Sequence, residues 1–79
     1  SYTYEAVYDK ALEYHFRSLI LREASGDKGE ISITKNNIGF VYYKLKDFEK
    51  ALEYYQQALA IKREIKDPYD MDRTLINIA

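Results

Sequence analysis

Cysteine and tryptophan are absent from this sequence of 79 residues, while proline occurs once and glycine three times. Without cysteine the chain has no disulfide framework, no thiolate nucleophile and no cysteine zinc site, and its redox compartment stays open. Below about 80 residues a single hydrophobic core supplies only roughly 3–5 kcal/mol of stability. We therefore expect at most one small domain, without a deep catalytic cavity.

An excess of positive charge is also missing. Twelve basic and thirteen acidic residues leave a formal net charge of -1. Nucleic acids and anionic membrane surfaces bind proteins mainly through clustered positive charge, so neither is an expected partner. No apolar run approaches the roughly 18 residues of a membrane span, and no charged-then-apolar leader opens the chain. We expect a soluble chain.

Apolar residues recur at helical spacing in three segments. Residues 48–66 are predicted to form a helix from one face comprising Phe48, Ala51, Leu52, Tyr55, Ala58 and Leu59. Residues 28–45 are predicted to form a second helix from Ile31, Ile38, Gly39, Tyr42 and Leu45. The first 25 residues, beginning near Thr3, are predicted to form a third helix with a face of Val7, Ala11, Leu12, His15, Ser18 and Leu19.

Helix start signals support this division. Asp47 stands where an N-cap would accept a backbone N–H of the helix that follows. Asp27 and Glu30 have the spacing of a capping box. The pair Asp67-Pro68 opens a further helix, because proline at the first helical position loses no needed hydrogen bond. The fold class is therefore all-α, with about four helices.

An internal repeat of about 40 residues runs through the chain. A shift of 40 positions lays YDKALEYHFRSLILREASGD (8–27) over FEKALEYYQQALAIKREIKD (48–67). The same shift matches Thr34 with Thr74 and Asn37 with Asn77. Such a period is typical of stacked helical hairpins. It divides the single domain 1–79 into the second helix of a partial repeat (1–26), a complete repeat (27–66) and the first helix of a truncated repeat (67–79).

The segment NNIGFVYYKLKDFEKALEYYQQALAI resembles a tetratricopeptide repeat, with Ile38, Gly39, Tyr42, Ala51, Tyr55 and Ala58 at the signature spacing. The period of about 40 is similar to that of kinesin light chains and of bacterial sensor and regulator proteins. The resemblance implies antiparallel hairpins stacked in a right-handed superhelix, an α-solenoid. It favours the cytoplasm, with the periplasm as the alternative for a bacterial sensor.

The signature residues have a packing explanation. Glycine inside a helix costs about 1 kcal/mol against alanine, so Gly39 indicates a neighbouring helix too close for a β-carbon. Ala51 and Ala58 indicate the same close approach on the following helix. Tyr42 and Tyr55 are predicted to fill the space between hairpins. These conspicuous residues are therefore expected to be structural, and function is expected from the residues that packing leaves exposed.

An exposed stripe is predicted on the helix at 28–45. Ile33, Asn37, Phe40 and Lys44 follow i, i+4, i+7 and i+11, with Asn36 and Tyr43 beside them. In the resembled family the first helices line the concave face, which implies that this stripe binds a peptide or a partner helix. Arg73 and Asn77 continue it in the next repeat. An asparagine amide suits such a surface, because it both donates and accepts hydrogen bonds.

Each of these residues has a structural alternative. Asn37 and Asn77 can instead satisfy neighbouring helix backbones, Phe40 can pack locally, and Lys44 can be a solvated charge. His15 aligns with the packed Tyr55, so a half-buried imidazole is expected rather than a metal ligand or general base.

Nothing in the sequence indicates catalysis or a cofactor. Asp70 and Asp72 fit the first turn of a helix, where the macrodipole favours acids, better than a metal site. Nothing positions Ser18 or Ser32 with His15 as a nucleophile and base, and no glycine-rich phosphate loop occurs. We expect neither an enzyme nor a bound metal.

Two functions therefore stay open. The first is a protein-interaction module within a larger scaffold or signalling protein. The alternative is a structural or regulatory segment that acts by self-association. Leu75, Ile76 and Ile78 favour the alternative, because helical arrays normally need polar helices to cover their ends.

Overall fold

A computed structural model of the protein describes residues 2–66, and the side chains of residues 4–65. This part consists of three helices without a strand: α1 (Tyr2–Ser25), α2 (Lys28–Lys44) and α3 (Phe48–Lys66). The all-α prediction is confirmed, and the ends of these helices lie within about one residue of the predicted ones. The predicted fourth helix at 67–79 lies outside the described residues.

Aspartate caps set the starts of α2 and α3. The Asp27 carboxylate accepts a hydrogen bond from the backbone N–H of Glu30 at 3.1 Å. The Asp47 carboxylate accepts one from the N–H of Lys50 at 3.3 Å. Because the first N–H groups of a helix have no partner inside it, these acceptors fix where each helix begins. Both predicted N-caps are confirmed.

The reciprocal half of the capping box at α2 is not formed. The Glu30 carboxylate is occupied by the guanidinium of Arg22, at 3.2 Å from Nε to Oε1. The backbone N–H of Asp27 donates instead to the hydroxyl of Ser25, at 3.4 Å. A tertiary ion pair to α1 thus replaces the predicted local contact, because Arg22 on the last turn of α1 reaches Glu30 first.

α2 and α3 form a tight antiparallel hairpin. Ile38 is fully buried, and Ala51 and Ala58 on α3 are buried opposite α2. A β-carbon added at Gly39 would lie 2.9 Å from Cδ1 of Tyr55 and 3.2 Å from the carbonyl oxygen of Ala51. Glycine is therefore needed at this position, because the backbone of α3 passes too close for any side chain. The predicted close approach at Gly39 is confirmed.

Polar groups inside the hairpin have partners across it. The buried hydroxyl of Ser32 donates to the carbonyl oxygen of Ala58 at 3.1 Å. The ammonium of Lys35 donates to Oε1 of Gln57 at 2.7 Å. Burying such groups costs little once they are hydrogen bonded. Both bonds join α2 to α3 and help to fix the register between them.

Tyr54 connects the hairpin to α1. Its ring stacks on Tyr42 of α2, with centroids 5.9 Å apart and planes at 20°. It also meets the edge of Phe16 of α1 at 6.0 Å. Burial, and then the neighbouring Tyr42, raise the pKa of the Tyr54 phenol. The aromatic contact therefore ties all three helices together, although the sequence pattern did not single out Tyr54 or Phe16 as packing residues.

Two predictions about apolar packing are wrong. Tyr55 lies against Gly39 and Tyr42 against Tyr54, so both rings pack within the hairpin rather than between hairpins. Several residues of the predicted apolar faces are instead exposed, namely Val7, Phe48, Leu52 and Leu59. A helical wheel places these residues near the buried alanines, but only one edge of each face meets a neighbouring helix within residues 4–65.

None of the described helices is both long enough and apolar enough to cross a membrane.

Candidate partner-binding surface

The predicted stripe on α2 lies at the surface. Ile33, Phe40 and Tyr43 are 51%, 49% and 52% exposed. The remaining predicted members within the described residues, Asn36, Asn37 and Lys44, are exposed as well. We call these six residues the α2 stripe. Arg73 and Asn77, predicted to continue it, lie outside the described residues.

The α2 stripe is exposed although α2 packs against both other helices. Thr34, Ile38 and Val41 are buried on its packed side. With about 3.6 residues per turn, residues 33, 37, 40 and 44 fall on a separate side of the same helix. Three large apolar side chains on that side remain half uncovered. A helix held on two sides thus presents a third to solvent, and its backbone is rigid.

The polar residues of the stripe differ from those of the packed faces. Ser32, Thr34 and Lys35 all donate to groups of the protein. Within residues 4–65, the side-chain amides of Asn36 and Asn37 have no protein hydrogen-bond partner. Each amide can both donate and accept, which matches the backbone of another chain.

The aromatic residues of the stripe are held by local contacts. The Tyr43 ring meets Phe48 of α3 edge to face, with centroids 5.6 Å apart. The ammonium of Lys44 lies 5.3 Å from the centre of the Phe40 ring, which is a cation–π contact. Side chains that are already ordered lose less entropy when a partner binds. The contacts therefore favour a pre-formed surface.

An open cavity of about 210 Å³ adjoins the C-terminal end of the α2 stripe. It is lined by Tyr4, Glu5, Tyr8, Lys44, Leu45 and Lys46. Only Lys44 of these belongs to the predicted stripe, so sequence reasoning missed the cavity. Tyr4, Glu5 and Tyr8 come from the first turns of α1, nearly 40 residues away in sequence, and only the antiparallel packing of α1 on α2 brings them to Lys44.

The single histidine is placed as predicted, in a half-buried position. The ring of Tyr14 packs on His15 at 5.6 Å. Burial, and to a smaller extent the positive charge of Arg22, lower the pKa of the His15 imidazole below its usual value. Within the described residues, no three histidine or acidic side chains are grouped as metal ligands. Asp70 and Asp72 lie outside that part of the chain.

The helical hairpin, its glycine contact and its paired alanines have the architecture of a known repeat. A model of the tetratricopeptide repeat family matches residues 2–79. The chain belongs to the tetratricopeptide repeat family. No curated protein and no solved structure matches the chain.

Membership gives the chain a general role. Tetratricopeptide repeats mediate protein–protein interaction and are typically non-catalytic. The match extends from α1 through the residues beyond α3. In this tetratricopeptide-repeat chain, side chains that can meet a partner are therefore of more functional interest than buried groups that could react.

Proposed function

We propose that the chain is a protein-interaction module of a larger scaffold or signalling protein, and that the α2 stripe binds an extended peptide or a partner helix. The observation that carries the proposal is the exposure of three large apolar side chains beside two unpaired amides. These residues lie on a helix whose other sides are covered.

Several physical features of the stripe support this role. Phe40 and Tyr43 offer large, ordered apolar surfaces, and aromatic residues dominate the energy of many interfaces. The amides of Asn36 and Asn37 can pair with a peptide backbone regardless of its sequence. Together they provide the combination of apolar anchors and orienting polar groups that a peptide-binding surface needs.

The repeat arrangement extends the proposed surface. We propose that residues 67–79 form the first helix of a following repeat, as 27–66 form a complete one. Hairpins stacked in a right-handed superhelix would place Arg73 and Asn77 beside the α2 stripe on one concave face. The match of the family to residues 2–79 and the spacing of Asn37 and Asn77 support this extension.

The test is selection of binding peptides from a display library of random twelve-residue peptides. The double variant Asn37→Ala/Tyr43→Ala removes one amide and one ring from the α2 stripe. We expect it to bind the selected peptides at least about tenfold more weakly than the wild type, since hot-spot residues each contribute more than about 1 kcal/mol. Fluorescence anisotropy measures the dissociation constants.

A matched control removes the same groups elsewhere. Gln56 and Tyr14 are exposed on α3 and α1, away from the stripe. The variant Gln56→Ala/Tyr14→Ala should keep wild-type affinity, and circular dichroism should show equal helicity for all three proteins. Binding by the stripe variant within twofold of the wild type would remove the stripe from the proposal.

Self-association is a second candidate, favoured by apolar residues outside the stripe. Tyr14 and Leu21 on α1 are 66% and 71% exposed, and Leu52 and Leu59 on α3 are about half exposed. Contiguous exposed apolar surface commonly marks a contact with another chain. This candidate also relies on Leu75, Ile76 and Ile78, which lie outside the described residues.

For self-association we expect dimers or larger assemblies in light scattering as the protein concentration rises. Leu52→Glu should shift the equilibrium towards monomer, because a charge would replace an apolar contact. Gln56→Glu, one turn further along α3 at an exposed polar position, is the control and should leave assembly unchanged. A monomer at the highest concentration would exclude this function.

A further inference from the structure

The cavity beside the α2 stripe has an unusual backbone position at its edge. Lys46 has a positive φ of 66°, in the left-handed region. Glycine adopts this conformation readily, whereas a residue with a β-carbon is strained in it. The same chain uses glycine for the corresponding turn after α1, where Gly26 has φ of 78°. A lysine is therefore present at a position where glycine would fold more easily.

The backbone of this turn satisfies its own hydrogen bonds. The N–H groups of Leu45, Lys46 and Asp47 donate to carbonyl oxygens of the last turn of α2, at 2.9 to 3.0 Å. The carbonyl oxygens that carry the negative end of the helix dipole are thus already paired. The Lys46 side chain is not needed to satisfy them, so its presence has no explanation in the folding of the turn.

The charges that line the cavity are predominantly positive. Lys44 and Lys46 contribute two ammonium groups, and Glu5 one carboxylate. Within the described residues neither lysine forms an ion pair, although Arg17, Arg22 and Lys28 do. The neighbouring Asp47 carboxylate is engaged in capping α3. The cavity therefore holds a net positive charge that the protein itself leaves unpaired.

The remaining lining completes a site for a carboxylate. Tyr4 and Tyr8 bring phenol groups, which can donate hydrogen bonds to a carboxylate oxygen. Hydrogen bonds to an ionised group are about twice as strong as those between neutral groups. A volume of about 210 Å³ has room for one acidic side chain with water around it.

We propose that this cavity binds an aspartate or glutamate side chain of the peptide that lies along the α2 stripe. Lys44 belongs to both surfaces, and its ammonium rests on the Phe40 ring at 5.3 Å. A peptide whose apolar residues cover Ile33 and Phe40 would thus bring its next residues to the cavity. This inference rests on the proposed function and adds a charge requirement to it.

The experiment uses peptides selected by the wild-type chain from the random display library, resynthesised with amidated C-termini so that only side chains carry carboxylates. Each acidic residue is replaced in turn by glutamine or asparagine. We expect one acidic position at which this replacement weakens wild-type binding about tenfold. That loss should shrink as salt rises, since exposed charges are screened.

The variant Lys46→Gly separates binding from folding. Glycine suits the left-handed turn, so the melting temperature should not fall, while the tenfold preference for the acidic peptide should drop to about twofold or less. Lys62→Ala removes an exposed lysine from α3 and is the charge-matched control, with the preference retained. Lys44→Gln should reduce the preference as well.

The outcomes distinguish the two proposals. Selected peptides that need Asn37 and Tyr43 but show no acidic preference would overturn the carboxylate site and leave the proposed function standing. An acidic preference unchanged in Lys46→Gly, or present only with a free C-terminal carboxylate, would also overturn it. Failure of the wild type to select any peptide would overturn both proposals.

Discussion

Replacing Gly39 with valine is expected to destabilise the chain by roughly 2–3 kcal/mol, the upper range for overpacking a close contact. The β-carbon alone would lie 2.9 Å from the Tyr55 ring and 3.2 Å from the carbonyl oxygen of Ala51. The ring can rotate slightly, but the carbonyl oxygen belongs to the backbone of α3. The hairpin must therefore open, and the loss approaches the roughly 3–5 kcal/mol available to a domain of this size.

Chemical denaturation followed by circular dichroism measures this loss. Gly29→Val is the matched control on the same helix, because a β-carbon at Gly29 would meet only the Asp27 carboxylate, at an ordinary 3.5 Å. We expect the control to change the free energy of unfolding by less than about 0.5 kcal/mol. Equal stabilities for the two variants would show that α2 and α3 do not approach closely at Gly39.

Ile38→Ala is expected to cost about 3 kcal/mol of unfolding free energy. Ile38 has no exposed surface and is the largest fully buried side chain of the described residues. Truncating such a side chain loses its transfer free energy and leaves a cavity that the neighbouring helices fill only in part, at a total of 2–5 kcal/mol. In so small a domain this loss unfolds a large fraction of the molecules.

The control has the same residue type five positions earlier. Ile33 is 51% exposed in the α2 stripe, so Ile33→Ala should change the free energy of unfolding by no more than about 0.5 kcal/mol. It should nevertheless weaken the binding of selected peptides. If Ile33→Ala destabilised the chain as much as Ile38→Ala, the orientation of α2 would be different from the one described.

Most of the helical organisation was predictable because it depends on local chemistry. The aspartates at 27 and 47 accept N–H groups only three residues away, so their sequence positions locate the starts of α2 and α3. The half-buried environment of His15 followed from its alignment with Tyr55 in the repeat. Fixed helical geometry likewise places residues 33, 37, 40 and 44 on one side of α2.

Contacts between helices were harder to predict. Periodicity placed Leu52 and Leu59 on the same face as Ala51 and Ala58, yet the leucines are exposed and the alanines buried. A helical wheel gives the direction of a side chain but not the width of the surface that the neighbouring helix covers. The Arg22–Glu30 ion pair was missed for a related reason, because it depends on how α1 ends beside α2.

The sequence by itself determined the three described helices, their caps, the repeat of about 40 residues and the α2 stripe, since each depends on spacing along one helix. The tertiary structure alone decided which apolar residues are covered, that Tyr54 joins Phe16 to Tyr42, and that Tyr4 and Tyr8 meet Lys44 and Lys46 around a cavity. These contacts join residues distant in sequence. Their distances depend on how closely the helices approach, which Gly39 and the small residues of α3 permit but no local pattern specifies.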